Sequence, residues 1–173
     1  MVRSNAEQEL RAVQQAELGD GDLVLIVGHG PGVGVAAAAA AVAPTGHVIG
    51  VDPSSTMRDM ARTRCASDIS AGRVELRDGS AEQTGCAPAS MDAAISVNNV
   101  MLWDAPVGFA ELFRVLRPGG RLVIGVHRHV LAVQPEQLIE EAAAAGFADV
   151  TLSLRDRRFP SPAVEVSARR PQR

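Results

Sequence analysis

The chain has 173 residues, a formal net charge of −3 and 46% hydrophobic residues, which suits one globular domain around a single core. Its 17 basic residues are all arginine, and the net negative charge, with no tyrosine, one tryptophan and four phenylalanines, argues against a nucleic-acid surface or a base-stacking platform. No stretch is apolar for the length a membrane span needs, the polar start Met1 to Glu9 lacks a signal-peptide core, and the two cysteines, Cys65 and Cys86, are too few for a disulfide framework or a zinc site, so a cytoplasmic, metal-free protein is expected.

Residues 4 to 18 read as an amphipathic helix, with Ala6, Leu10, Val13 and Leu18 near helical spacing, and Gly19-Asp20-Gly21-Asp22 ends it. The apolar strand 23–27 then drives into Gly28-His29-Gly30-Pro31-Gly32-Val33-Gly34, and an alanine-rich helix over 32–43 follows at once. This is the strand–loop–helix start of a nucleotide-binding α/β domain, in which glycines allow a sharp turn and close approach of a ligand. A dinucleotide fingerprint needs a third small residue at position 33 or 35, and both are valine; a phosphate-cradling loop needs a lysine, and the chain has none. The alternating glycines therefore suit a ligand without a pyrophosphate.

A second strand over 47–51 ends at Asp52, about 20 residues past the loop, where a carboxylate can accept bonds from both ribose hydroxyls of a nucleoside. Pro53-Ser54 turns the chain, with Ser54 capping a helix from Ser55 to Arg64. Further strands are expected at 73–77, 92–97 and 121–126, and helices at 107–116 and 135–145, the last stopped by Gly146. Asp149 to Arg155 and Ala163 to Ala168 alternate as an antiparallel hairpin would, joined by a Pro160-Ser161-Pro162 turn. The C-terminal arginines Arg155, Arg157, Arg158, Arg169, Arg170 and Arg173 read as a solvated surface.

Four ordered segments resemble the class I S-adenosylmethionine-dependent methyltransferases: the loop Gly28 to Gly34; Val51-Asp52-Pro53-Ser54 with Met57; Val74 to Glu82 followed by Met91 to Val100; and Phe113-Arg114-Val115-Leu116-Arg117-Pro118-Gly119-Gly120-Arg121-Leu122-Val123-Ile124. The resemblance implies a Rossmann-like α/β fold, a doubly wound seven-stranded sheet that is mostly parallel with its last strand antiparallel. It implies one domain over 1–173, made of an N-terminal helix within 1–18 and a core over 20–170. By the same resemblance Gly28, His29, Gly30 and Gly32 line the methionine and ribose of S-adenosylmethionine, Asp52 holds the ribose, Pro53 and Met57 lie near the nucleoside, Gly79, Ser80 and Ala81 face the adenine, and Asn98 sits beside the methionyl part. Two positions depart from the family pattern. Ile26 stands where relatives carry an acid two residues before the first loop glycine. Ser80 stands where they carry Asp, with Asp78 nearby.

Ligands bind at strand C-terminal edges in open α/β sheets. The acceptor-side candidates are thus Asn99, Trp103 and Asp104 after the fourth strand and His127 and His129 after the fifth, with His127 the candidate base. Asn98-Asn99-Val100-Met101 lacks the Asp/Asn-Pro-Pro-aromatic pattern of enzymes that methylate exocyclic base nitrogens, so the expected acceptor is a small molecule attacked at oxygen, nitrogen or carbon. The connection from His127 to Pro135 is short, which leaves the site open, to be closed by the N-terminal helix or by the second subunit of a homodimer. A catalytically silent methyltransferase-like subunit, or the same fold serving a reaction without methyl transfer, are the rival readings.

Overall fold

The computed structural model describes residues 2–157 and 161–173; Arg158 and Pro160, part of the basic C-terminal set and of the hairpin turn, lie outside them. The strands β1 (Leu23–Val27), β2 (His47–Val51), β3 (Val74–Arg77), β4 (Met91–Val97) and β5 (Leu116–His127) run parallel, and the hairpin β6 (Ala148–Arg155) and β7 (Ala163–Arg169) joins antiparallel through β7. The order is β3-β2-β1-β4-β5-β7-β6, the doubly wound sheet that the family resemblance implies. The last four residues of β1 and of β2 are buried, because helices cover both faces. On one face α1 (Val2–Gln15) and α2 (Val33–Val42) pack on Val24, Ile26, Val48 and Ile95. On the other, Phe109 and Leu112 of α5 (Ala105–Val115) and Leu138 of α6 (Pro135–Ala144) pack on Leu25, Ala94 and Ile124.

Two local features differ from expectation. β5 begins at Leu116, paired with Met91, and the Pro118-Gly119-Gly120 turn is a bulge inside the strand rather than a break before it. Gly119 has φ +80, and its N–H reaches Arg170 O at 2.8 Å, tying the bulge to the chain after β7. α1 also turns a different face inward. Leu10 is 47% exposed, while Gln8, Ala12, Val13 and Ala16 are buried. Small residues at helical spacing let α1 approach the equally small, alanine-rich α2, and a leucine would hold the two apart.

The basic C-terminus is not uniformly solvated either. Arg170 is half-buried, stacks 4.7 Å from the Phe113 ring centroid and donates to the carbonyls of Phe113 (2.8 Å) and Leu116 (2.7 Å). It thus serves unpaired carbonyls at the α5 C-terminus, where positive charge is favoured.

Helix α3 (Ser55–Arg64) starts as its sequence dictates, with Ser54 Oγ accepting from Met57 N–H at 3.3 Å. Removing that cap in Ser54→Ala should cost about 1 kcal/mol, read as a lower urea midpoint with an unchanged slope. A short helix α4 (Ala66–Ser70) follows α3, a turn the sequence did not announce.

The chain winds from β1 outward to β3 and then returns to place β4 on the other side of β1. The loops leaving β1 and β4 diverge there and open a crevice at the strand C-termini, the position where such sheets hold ligands.

Candidate functional site

The loop after β1 takes three left-handed steps, with φ of +64 at Gly28, +53 at Gly30 and +89 at Gly32. Gly32 is required twice over: besides its φ, a Cβ there would lie 2.9 Å from Ala61 Cβ, so the loop presses directly on α3. Gly30 is open, with nothing within 4 Å of where a Cβ would stand. His29 points the other way. It is 2% exposed, lies against Gly50 of β2 and bonds through Nδ1 to Gly30 O at 2.7 Å.

Asp52 fastens this loop to the next turn. The residue is 7% exposed; Oδ2 accepts from Gly30 N–H at 3.0 Å and Oδ1 from Ser54 N–H at 2.9 Å. Each carboxylate oxygen keeps a further lone pair for a ligand hydroxyl. Arg58 of α3 donates to Asp52 O at 2.7 Å and to Asp78 Oδ1 at 3.2 Å. Beside it opens a cavity of about 450 Å³, lined by Pro53, Asp78, Gly79, Ser80, Gln83 and Gly85. Asp78, noted in the sequence beside Ser80, lines the wall together with it. Ala81 does not face this cavity; it is fully buried among core side chains near α5 and supports the loop from beneath. Met57 is half-buried at the first turn of α3.

Across the crevice Asn98, at φ +51, anchors a polar network. Its Oδ1 accepts from His127 N–H at 2.9 Å, and its Nδ2 donates to Gln8 Oε1 at 2.8 Å and Asn5 Oδ1 at 3.2 Å. His127 is buried and holds a partner on each ring nitrogen: Arg157 Nη2 at 2.5 Å from Nδ1 and Asn5 Oδ1 at 2.9 Å from Nε2. A guanidinium can only donate, so Nδ1 accepts and Nε2 carries the proton. Burial, then the Arg157 and His129 charges, push the imidazole down to about 4. A weak base whose lone pair is already bound is poorly placed to take a substrate proton, and in this arrangement the ring locks α1 to the end of β5. The shift also has a consequence for stability. Between pH 6.5 and about 4 the unfolded chain takes up a proton at His127 that the folded chain refuses, so stability falls as pH falls through that window. Urea melts should show an acid limb beginning near pH 6.5, absent from His127→Gln.

The remaining acceptor-side candidates separate. The Asn99 carboxamide covers Gly28, its Cγ lying 2.2 Å from where a glycine Cβ would stand, and its Oδ1 accepts from Trp103 Nε1–H at 2.7 Å. Trp103 stands edge-on to Phe109, with centroids 5.8 Å apart, and walls a cavity of about 120 Å³ with Met101, Leu131, Val133 and Leu138. Asp104 caps α5 through Val107 N–H. His129 is exposed and bonds Ser161 Oγ at 2.8 Å. Asn5 and Gln8 were not singled out from sequence, where Arg157 reads only as part of a solvated basic surface; their partners in this network lie 30 to 122 residues away along the chain, a separation no local pattern reports. Among the described residues no group of three or more His, Cys, Asp or Glu side chains could hold a metal, and no helix is long and apolar enough to cross a membrane.

Comparison with known proteins places these features. A family model described as a methyltransferase domain matches residues 24–120. The uncharacterized methyltransferase YdaC of Bacillus subtilis is 30% identical over 133 residues, 72% of this chain and 71% of that protein. An arsenite methyltransferase of Halobacterium salinarum is 39% identical over 112 residues, 63% of this chain but 28% of its own length. Among solved structures, phosphoethanolamine N-methyltransferase 2 of Haemonchus contortus, in complex with S-adenosyl-L-methionine, superposes with a TM-score of 0.83 at 21% identity, covering 96% of this chain and 53% of that one.

Proposed function

This chain belongs to the class I S-adenosylmethionine-dependent methyltransferase family, and we propose that it transfers a methyl group from S-adenosylmethionine to a small-molecule acceptor. The observation that carries this reading is Asp52, buried at the end of β2, holding Gly30 N–H at 3.0 Å beside a cavity of about 450 Å³. The residues fit the cofactor. The backbone at Gly30 is open, Asp52 keeps lone pairs for ribose hydroxyls, and Pro53, Asp78, Gly79 and Ser80 wall a space beside it for the base. Gly28 and Asn98 would flank the methionyl part.

Bound there, S-adenosylmethionine supplies an electrophilic methyl carbon on a sulfonium. The protein's contribution is then largely positioning, since in-line transfer gains most from holding donor and acceptor together. Asn98, fixed by His127 and Gln8, gives the crevice a rigid wall opposite the glycine loop. Trp103 and Asn99 stand between that crevice and the cavity of about 120 Å³ walled by Met101, Leu131 and Leu138. An acceptor with an apolar body suits that cavity, and among the described residues no clustered basic side chains line it to favour a nucleic acid.

The silent-subunit reading draws on one observation, the Asn99 side chain over Gly28. Clearing it breaks the Trp103–Asn99 hydrogen bond, on the order of 1 kcal/mol, which is small beside the binding energy of a nucleoside cofactor at micromolar affinity, about 8 kcal/mol. The test is transfer of labelled methyl from S-adenosylmethionine into small-molecule fractions of a cell extract by the pure protein. Label appearing in a dialysable product supports the proposal; S-adenosylhomocysteine binding without transfer to any fraction supports the silent subunit instead.

A further inference from the structure

One carboxylate lies at the glycine loop without a place in the site described so far. Glu9, on the inward side of α1, sends Oε2 to Gly34 N–H at 2.6 Å, at the first turn of α2. It lines a small cavity with Ile26, Gly28, His29, Gly34 and Val97. That cavity holds about 10 Å³, room for a single water-sized group and not for a whole ligand. The side chains of Ile26, Ile95 and Val97 in its wall are apolar, and Glu9 is the carboxylate there.

Among the described residues two buried side-chain nitrogens here have no hydrogen-bond partner: His29 Nε2, in the wall of that cavity, and Gln8 Nε2, on the residue next to Glu9. His29 bonds Gly30 O through Nδ1, a contact that needs an N–H, which leaves Nε2 as an acceptor. Gln8 Nε2 is a donor on the residue next to Glu9, its own Oε1 being taken by Asn98. Buried polar groups without partners are uncommon, and each one asks for an explanation. A carboxylate and an imidazole lone pair call for a compact cation with several N–H groups, such as the ammonium of an α-amino acid end.

We propose that Glu9, supplied by the N-terminal helix, binds the α-ammonium of the cofactor's methionyl end through the cavity beside Gly28. This rests on the cofactor reading above. Glu9 and Ile26 line the same cavity, so α1 brings a carboxylate to a wall where β1 offers only an apolar side chain. Burial holds the Glu9 carboxyl above its ordinary value, against the Gly34 N–H and the Arg64 charge, as expected of a carboxylate waiting for a cation. The N-terminal helix is then part of the cofactor site and not merely a cover for it.

The test is calorimetry with S-adenosylhomocysteine and with its desamino analogue, identical except that hydrogen replaces the amino group. Wild-type protein should bind the desamino analogue ~10- to 100-fold more weakly, the range for a lost charge-assisted hydrogen bond. Glu9→Gln keeps an acceptor for Gly34 N–H and should bind S-adenosylhomocysteine weakly but the two probes alike, so that the two losses do not add. Equal wild-type affinity for both probes overturns the proposal, whether or not the variant folds. So does a Glu9→Gln protein that still prefers the amino form by the wild-type factor. Wild-type protein that binds neither probe overturns the cofactor reading itself, a result distinct from either.

Discussion

Asp52→Ala is expected to lower the affinity for S-adenosylhomocysteine by ~100-fold and to loosen the glycine loop at the same time. The two effects have separate causes. Ribose hydroxyls lose a charged acceptor, which costs about 1.5–3 kcal/mol. Independently, Gly30 N–H and Ser54 N–H lose the oxygens they reach at 3.0 and 2.9 Å. Both amides belong to half-buried residues facing a carboxylate that is only 7% exposed, and each unsatisfied donor costs about 1–3 kcal/mol unless water replaces the carboxylate. The protein should therefore melt earlier in urea even without ligand. Asp52→Asn separates the contributions. It retains one oxygen for one amide, but sets its own NH₂ against the other or against the ribose. Its stability should fall between wild type and Asp52→Ala, while its affinity should stay near that of Asp52→Ala, because the charge is gone from both. Calorimetry and urea titration on the three proteins measure the two quantities separately. A folded Asp52→Ala protein with affinity within twofold of wild type would confine Asp52 to loop structure and remove the main support for a ribose at this position.

How far residues alone reach in this molecule depends on how local their partners are. Val24 to Val27 and His47 to Val51 read directly as strands, because a strand covered on both faces needs an unbroken apolar run. Asp52 was legible for a related reason. A polar residue directly after such a run marks the strand's C-terminal edge, and its partners, Gly30 and Ser54, come from the adjoining loop and turn. The limits are equally physical. Leu10 shares a helical spacing with Ala6, Val13 and Leu18, yet close packing of α1 on α2 favours Ala12 and Ala16 and leaves Leu10 outside. His127 looked like a free base at a strand end. Arg157 and Asn5, which occupy its two nitrogens, come from opposite ends of the chain. Glu9 carried no signal beyond helical spacing, because what makes it unusual is Gly34 N–H and the apolar cavity wall around it.

The attachment of α1 to the rest of the molecule leads to a second large stability effect. Glu165 of β7 is 7% exposed and collects Arg11 Nε at 2.5 Å, Gln15 Nε2 at 2.7 Å and Arg155 Nε at 3.0 Å. Arg155 reaches back to Glu7 of α1 at 3.0 Å, so one buried carboxylate organises a clamp between the first helix and the last hairpin. Glu165→Ala takes the buried anion from Arg11 and Arg155 and leaves Arg155 with Glu7 alone. Breaking a buried pair from one side costs about 3–5 kcal/mol; with Arg11 itself 42% exposed and able to rehydrate, a value near the lower end, about 3 kcal/mol, is expected. The pH dependence identifies the carboxylate. Burial pushes the Glu165 carboxyl up, but the bonds from Arg11, Gln15 and Arg155 outweigh it and hold it below the ordinary value of 4.5. Its stabilisation is therefore complete above the unfolded value and is lost as pH falls through the lower, folded one. Wild-type stability should drop in a second acid step below pH 4.5, distinct from the His127 limb at higher pH, and Glu165→Ala should lack that step. Because α1 carries Asn5, Gln8 and Glu9 to the crevice, the same substitution should weaken S-adenosylhomocysteine binding from a distance, with Asp52 untouched. A variant that loses about 3 kcal/mol in urea but binds like wild type would show that α1 holds the fold and not the ligand.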